Sequence, residues 1–240
     1  MDLKSKIILI SGPTASGKSK AALKIAKKLN GEIINADSMQ VYKELNILTA
    51  RPSKTDLNKI NHHLYGFRSV KKEFSSGDWL KLAKKNIKKI RDKNKIPVLV
   101  GGTGLYFKAL TDGLVKIPKI PISVRDKIRR IQNKLGQKKF YLKLLKNDPL
   151  VKNKIDPTDV QRSIRAYEVI SFTKKSVFDW YTKTKPSFKK DQFIKIYVDY
   201  PKDKLINKIS KRVDQMMKDG AIQEVKDFLK LNLKSDSNIF

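Results

Sequence analysis

The sequence predicts a parallel α/β sheet flanked by helices, with an all-helical module inserted late in the chain. Three observations carry this. Short apolar runs at Ile7-Ile-Leu-Ile10, Glu32-Ile-Ile-Asn-Ala36 and Ile96-Pro-Val-Leu-Val100 alternate with helix-periodic segments, as buried parallel strands joined by crossover helices do. A proline-punctuated connector, Lys116-Ile-Pro-Lys-Ile-Pro121, leads into helical periodicity from Ser123 to about Thr184, with no convincing strand. Strand character then returns at Phe193-Ile-Lys-Ile-Tyr-Val198. The expected division is a core of residues 1–115 and 187–240, interrupted by a module of residues 116–186.

The first strand runs into Gly12-Pro13-Thr14-Ala15-Ser16-Gly17-Lys18-Ser19, which fits the phosphate-loop pattern G-x-x-x-x-G-K-[ST] at every defined position. Behind it, Ala21, Ala22, Ile25, Ala26 and Leu29 recur at helical spacing, and Asn30-Gly31 ends the run. Strand, glycine loop and helix together let successive N–H groups and a helix N-terminus face one anion. Lys18 adds a full charge, and the Ser19 hydroxyl can ligate Mg²⁺. The core therefore reads as P-loop NTPase-like, built to hold a diphosphate or triphosphate.

Residues 43–78 read as loop-rich, punctuated by Arg51-Pro52 and Gly77. Trp79 to Arg91 reads as an amphipathic helix with Asp78 as its N-cap. The third strand opens into Gly101-Gly102-Thr103-Gly104 and an apolar helix, Leu105 to Leu110. In the module, Ile128, Ile131 and Leu135 form one stripe, and Phe140, Leu142, Leu144 and Leu145 contribute to another. Val160, Ile164, Tyr167, Glu168 and Ile170 mark a helix opening after Asp159. The last strand ends at Asp199, before a long helix from Lys202 to Lys218 closed by Gly220.

Composition narrows the function. Of 240 residues, 40% are hydrophobic, enough for a true core. The absence of cysteine excludes a disulfide framework and thiolate metal sites. No apolar run is long enough to span a bilayer, and Met1-Asp2-Leu3-Lys4 leaves no room for a leader before the first strand, so a cytoplasmic protein is expected. A formal net charge of +31 attracts polyanions, RNA among them. The same lysine, isoleucine and asparagine richness also arises from an AT-biased coding sequence.

Three polar clusters fall at strand ends, where ligands of open parallel sheets gather. Asp37 can bind Mg²⁺ through water or act as a general base; capping the next segment is the structural alternative. Thr103 with Gly101 and Gly102 can present a hydroxyl and N–H groups to a ligand, or simply turn into a helix. Arg162 and Arg165, at i and i+3, suit phosphates and base edges, or form a solvated face paired with Glu168. His62 and His63 read as structural. The phosphate loop alone also fits a small-molecule or nucleoside kinase.

Five segments together resemble the tRNA dimethylallyltransferases: Gly-Pro-Thr-Ala-Ser-Gly-Lys-Ser (12–19), Asn-Ala-Asp-Ser-Met-Gln-Val-Tyr (35–42), Thr-Ala-Arg-Pro (49–52), Val-Gly-Gly-Thr-Gly-Leu-Tyr (100–106) and Asp-Val-Gln-Arg-Ser-Ile-Arg-Ala-Tyr-Glu-Val (159–169). These enzymes prenylate N6 of the adenosine 3′-adjacent to the anticodon (position 37). The resemblance implies that the phosphate loop holds dimethylallyl diphosphate with Mg²⁺ and that Arg212 grips the same diphosphate. It implies Asp37 as the general base, with Thr103 near the reacting centre. It implies tRNA contacts, at the anticodon arm, from Asp37, Ser38, Met39, Gln40, Thr103, Arg125, Gln161, Arg162, Ser163, Ile164 and Arg165. A monomer is expected. Family members continue past Gly220 with further tRNA-touching helices, whereas this sequence ends at Ser235-Asp-Ser-Asn-Ile-Phe240, so it is expected to lack the usual C-terminal segment. A non-catalytic RNA-binding form is the remaining alternative.

Overall fold

The computed structural model describes residues 3–182 and 184–233; the terminal Ser235–Phe240 stretch lies outside them. The chain forms two compact units, one of residues 1–111 and 186–240, the other Asp112–Lys185.

The first unit is a five-stranded parallel sheet. Its strands are β1 (Ile7–Ser11), β2 (Gly31–Asn35), β3 (His62–His63), β4 (Ile96–Val100) and β5 (Phe193–Tyr197), in the order β3-β2-β4-β1-β5. The register runs Ile8–Val98 and Ile8–Ile194 across β1, and Ile33–Val98 between β2 and β4. Because side chains alternate along a strand, β1 supplies both faces. Ile7 and Leu9 pack with Ile34 and Leu99 under α3 (Ser76–Asp92) and α4 (Gly104–Thr111), where Trp79, Ile87, Ile90 and Leu110 are buried. Ile8 and Ile10 pack with Ile33 and Val98 under Ala22 and Ala26 of α1 (Lys18–Lys28). Burying each such branched side chain contributes roughly 1.5–3 kcal/mol.

The structure corrects several local expectations. Asp78 is not the N-cap of α3. Ser75 is, and Asp78 is its capping-box partner, accepting the Ser75 N–H at 3.0 Å while Ser75 Oγ accepts from Asp78 N at 3.2 Å. The loop-rich stretch contains α2 (Lys54–Lys59), capped by Ser53, and the edge strand β3. That strand lacked an apolar signal because polar bonds hold it: His63 Nε2 meets Glu32 Oε2 at 2.7 Å. Gly220 closes α8 (Lys202–Lys218) as expected: it follows the C-cap Asp219 in the left-handed conformation, at φ 100°, and donates its N–H to Met217 O at 3.3 Å; it also opens a further helix, α9 (Ala221–Leu229).

The second unit is helical, and no strand occurs among its described residues. Helix α5 (Ile122–Asn147) breaks at Gly136, whose φ of 69° and ψ of 164° are non-helical. Helices α6 (Val160–Thr173) and α7 (Val177–Tyr181) follow. Their core gathers Ile128, Phe140, Leu144, Val151 and Val169. Leu142, expected in this core, instead points outward and is 52% exposed, because Phe140 and Leu144 take the inner face of that turn.

Candidate active site

The strand order brings three predicted clusters together. β4 lies between β2 and β1, so their carboxyl ends set Asp37-Ser38-Met39-Gln40, Gly101-Gly102-Thr103 and the phosphate loop side by side. The approach between the first two is close: a Cβ on Gly101 would lie 2.0 Å from the Ala36 carbonyl oxygen, so only glycine fits. Thr103 locks the same junction. Its Oγ1 accepts from Ser38 N at 2.9 Å and donates to Ser38 Oγ at 3.2 Å, and its N–H donates to Ala36 O at 3.2 Å.

Asp37 is placed by a residue to which sequence reading gave no role. Asn35 is fully buried at the end of β2. Its Oδ1 accepts the Asp37 N–H at 2.9 Å, and its Nδ2 donates to the carbonyls of Asp37 at 2.9 Å and Leu64 at 3.0 Å. The Asn35 carbonyl accepts from Trp79 Nε1 at 2.8 Å, and the Trp79 ring stacks on Tyr106 at 4.3 Å. A polar residue inside an otherwise apolar strand was the available signal. Asp37 Oδ1 accepts from Met39 N at 2.9 Å, and turns rather than a helix follow it. Asp37 therefore caps no helix.

In the phosphate loop, Gly12 is required by a close approach: a Cβ there would lie 2.5 Å from Val198 O. Ser16 is buried, and its Oγ has no hydrogen-bond partner among the described residues. Lys18 folds over the loop, donating to Pro13 O at 3.1 Å. Burial lowers the Lys18 pKa, the Asp37 charge raises it, and Arg212 lowers it further. Arg212, on α8, is likewise lowered by burial and raised by Asp37. Lys18, Asp37 and Arg212 thus share one electrostatic neighbourhood. The Tyr65 and Tyr106 hydroxyls are pushed up, first by burial and also by the Asp37 charge.

A cavity of about 750 Å³ opens against the loop, lined by Gly17, Lys18, Ser19, Lys208 and Arg212 among others. A smaller cavity of about 300 Å³ shares Ser19, Leu23 and Asp56 with it and is walled by Ile33, Tyr65 and Val100. No group of three or more His, Cys, Asp or Glu residues that could hold a metal occurs among the described residues. The Ser19 hydroxyl on the first turn of α1, beside an anion cradle, fits Mg²⁺, which is held by few protein oxygens together with substrate phosphates and water.

The remaining predicted RNA contacts divide. Met39 is exposed. The Gln40 amide turns inward and donates to the carbonyls of Thr49 at 2.8 Å and Ala50 at 3.0 Å. In the helical unit, Gln161 and Arg162 are exposed on α6. Ser163 is fully buried and accepts from Gln137 Nε2 at 3.2 Å, and Ile164 packs against the helical core. These two turn inward because they occupy the core-facing side of α6. Arg162 Nε lies 3.4 Å from Asp159. Arg165 lies 3.3 Å and Arg125 4.0 Å from the same Glu168 Oε2.

Residues 40–240 match the family model described as IPP transferase. The chain belongs to the IPP transferase family. A tRNA dimethylallyltransferase from Pelagibacter ubique is 59% identical over 239 residues, covering 100% of this chain and 76% of that protein. One from Allorhizobium ampelinum is 44% identical, covering 95% and 76%. Among solved structures, a eukaryotic dimethylallyltransferase acting on tRNA aligns with a TM-score of 0.80 at 30% identity, over 94% of this chain and 56% of that one. The tRNA isopentenylpyrophosphate transferase of Bacillus halodurans aligns at 0.62 and 32%, over 96% and 72%. With IPP transferase membership, the kinase alternative has no support left.

Proposed function

We propose that this chain transfers the dimethylallyl group of dimethylallyl diphosphate to N6 of the adenosine 3′-adjacent to the anticodon of tRNA. The observation that carries the reading is one acid, Asp37 after β2, beside Thr103 after the neighbouring β4, whose other neighbour β1 carries the phosphate loop, with Lys18 and Arg212 in the same field. The phosphate loop N–H groups, Ser16 Oγ, Lys18 and Arg212 take the diphosphate. The smaller cavity is mixed in its lining, and its apolar stretch of Leu23, Ile33, Tyr65 and Val100 suits the five-carbon tail. The amine nitrogen attacks the allylic carbon, the carbon–oxygen bond breaks, diphosphate leaves with the bonding pair, and Asp37 takes the amine proton. An aromatic amine is a weak nucleophile, so a positioned base contributes roughly 10²–10⁴-fold. Lys18 and Arg212 offset the charge that grows on the leaving oxygen. When bound, Mg²⁺, held at Ser19, supplies further neutralisation of the diphosphate. The adenine must leave its stack to reach Asp37, and the basic face of α6 with Arg125 holds the tRNA.

The partner is therefore tRNA, and a cytoplasmic monomer is the proposed working form. No helix among the described residues is long and apolar enough to cross a membrane. Incubating the protein with unmodified tRNA and labelled dimethylallyl diphosphate should move label into tRNA. If tRNA binds but no label transfers, the RNA-binding alternative replaces the transferase reading.

A further inference from the structure

Away from Asp37, one carboxylate is held with unusual completeness. Glu224, in the first turn of α9, accepts three consecutive backbone N–H groups. Asn46 and Ile47 donate to Oε1 at 2.7 and 2.9 Å, and Leu48 donates to Oε2 at 2.9 Å. Successive N–H groups converging on one anion form a backbone nest. This nest leads directly into Thr49-Ala50-Arg51-Pro52, a segment singled out by the sequence and given no role so far. Its other bonds are internal to the loop region: Gln40 Nε2 holds the Thr49 and Ala50 carbonyls, Thr49 Oγ1 donates to Leu45 O at 2.8 Å, and Arg51 Nε donates to Asn46 Oδ1 at 2.9 Å. Ala50, Arg51 and Pro52 wall the smaller cavity.

The two helices beyond this loop have few other anchors. α8 buries no residue, and α9 buries only Ala221. Phe228 packs, half-buried, with Val41, Tyr42 and Val70 near the C-terminal end of α9. Yet α8 must present Arg212 to the phosphate-loop cavity. The joint between the helices is short, and Gly220 stands over the nest: a Cβ there would lie 4.0 Å from Ile47 Cδ1. A carboxylate clamped at the start of α9 therefore constrains the end of α8.

We propose that Glu224 is a positioning residue: by filling the nest at residues 46–48 it holds α9, and through Gly220 α8, where Arg212 faces the phosphate loop. This rests on the assignment of Arg212 to the diphosphate. The test compares Glu224→Gln, Glu224→Asp, Arg212→Ala and the Glu224→Gln/Arg212→Ala double variant by inorganic diphosphate binding, melting temperature and, in the transfer assay, donor KM and kcat. Glu224→Gln should weaken diphosphate binding and raise donor KM by roughly tenfold, the size of one charge-assisted hydrogen bond, with a smaller change in kcat. Glu224→Asp, which keeps the charge, should recover part of the loss, and it carries the same test if the glutamine variant melts early. Because Glu224 acts through Arg212, the double variant should bind diphosphate no more weakly than Arg212→Ala alone. Losses that multiply in the double variant overturn the proposal, as does normal diphosphate binding by Glu224→Gln or by Arg212→Ala. A wild type that binds diphosphate yet transfers no label strikes the transferase reading while leaving this comparison intact.

Discussion

Asp37 is held mainly by backbone and amide hydrogen bonds, and this sets what a substitution there would do. The buried Asn35 side chain grips both the N–H and the carbonyl of Asp37, and Thr103 fixes Ser38 beside it. Among the described residues only one carboxylate oxygen is engaged, accepting the Met39 N–H at 2.9 Å. An asparagine can make that same bond through its amide oxygen, so Asp37→Asn keeps the turn and removes the proton acceptor. Turnover should fall by ~10²-fold or more while donor and tRNA affinities stay near wild type. Steady-state kinetics alongside equilibrium binding check this, and a fully active variant would leave Asp37 with a turn-forming role only. The acid itself was legible, because a carboxylate at the end of an apolar strand beside a phosphate loop stands out. Asn35 was not, because its role depends on Leu64 and Trp79, distant residues whose neighbourhood the fold alone creates. Gln40 shows the reverse: its motif suggested RNA, and its amide is spent on the Thr49 and Ala50 carbonyls.

Among elements, the edge strand β3 depends on one buried acid. Glu32 is fully buried in β2, and a buried carboxylate is costly unless paired. It has Lys95 at 2.9 Å, His63 at 2.7 Å and Asn61 at 3.1 Å. Burial pushes its pKa up, but the bonds from Lys95, His63 and Asn61 prevail and hold it at about 2, below the ordinary 4.5. A depressed pKa contributes stability that is fully present above the unfolded value and is lost as pH falls from 4.5 toward 2, on the order of 3 kcal/mol. Urea midpoints between pH 2 and 6 should show this loss, and Glu32→Gln should flatten it while lowering stability at neutral pH. An unchanged acid profile in the variant would assign the sensitivity to other groups. The central strands and the helices that cover them were readable because apolar periodicity encodes burial on one face or two. β3 escaped because its two histidines carry no such period, whereas α9 carries one in Ile222, Val225 and Leu229, spaced i, i+3 and i+7.

For the whole molecule, the question is whether RNA is held by placed groups or by total charge. A net charge of +31 attracts any polyanion at low salt, and diffuse attraction of this kind is shared among all lysines. The helical unit offers something more specific. Arg162 projects from α6 with 73% of its side chain exposed, and its partner Asp159 is already engaged in capping the helix. Arg165 is steadied by Glu168, a nearly buried carboxylate that also faces Arg125. Two guanidiniums sharing one acid keep a net positive charge in a fixed orientation, which suits phosphate oxygens better than mobile ammonium groups do. Replacing Arg162 and Arg165 by alanine should therefore weaken tRNA binding and make its salt dependence shallower by roughly one unit of slope per lost phosphate contact. Donor binding should not change, since Lys18, Ser16 and Arg212 belong to the other unit. Lys88 and Lys89 are exposed on α3 and remove the same charge when replaced, which makes them the control. Binding curves for both double variants across a salt series decide between the two pictures. A larger loss for the arginine pair means that α6 reads the tRNA backbone at defined positions. Coincident affinities and slopes mean that the chain holds tRNA through its summed charge, and the arginines of α6 then have no part in recognition beyond that of any surface lysine.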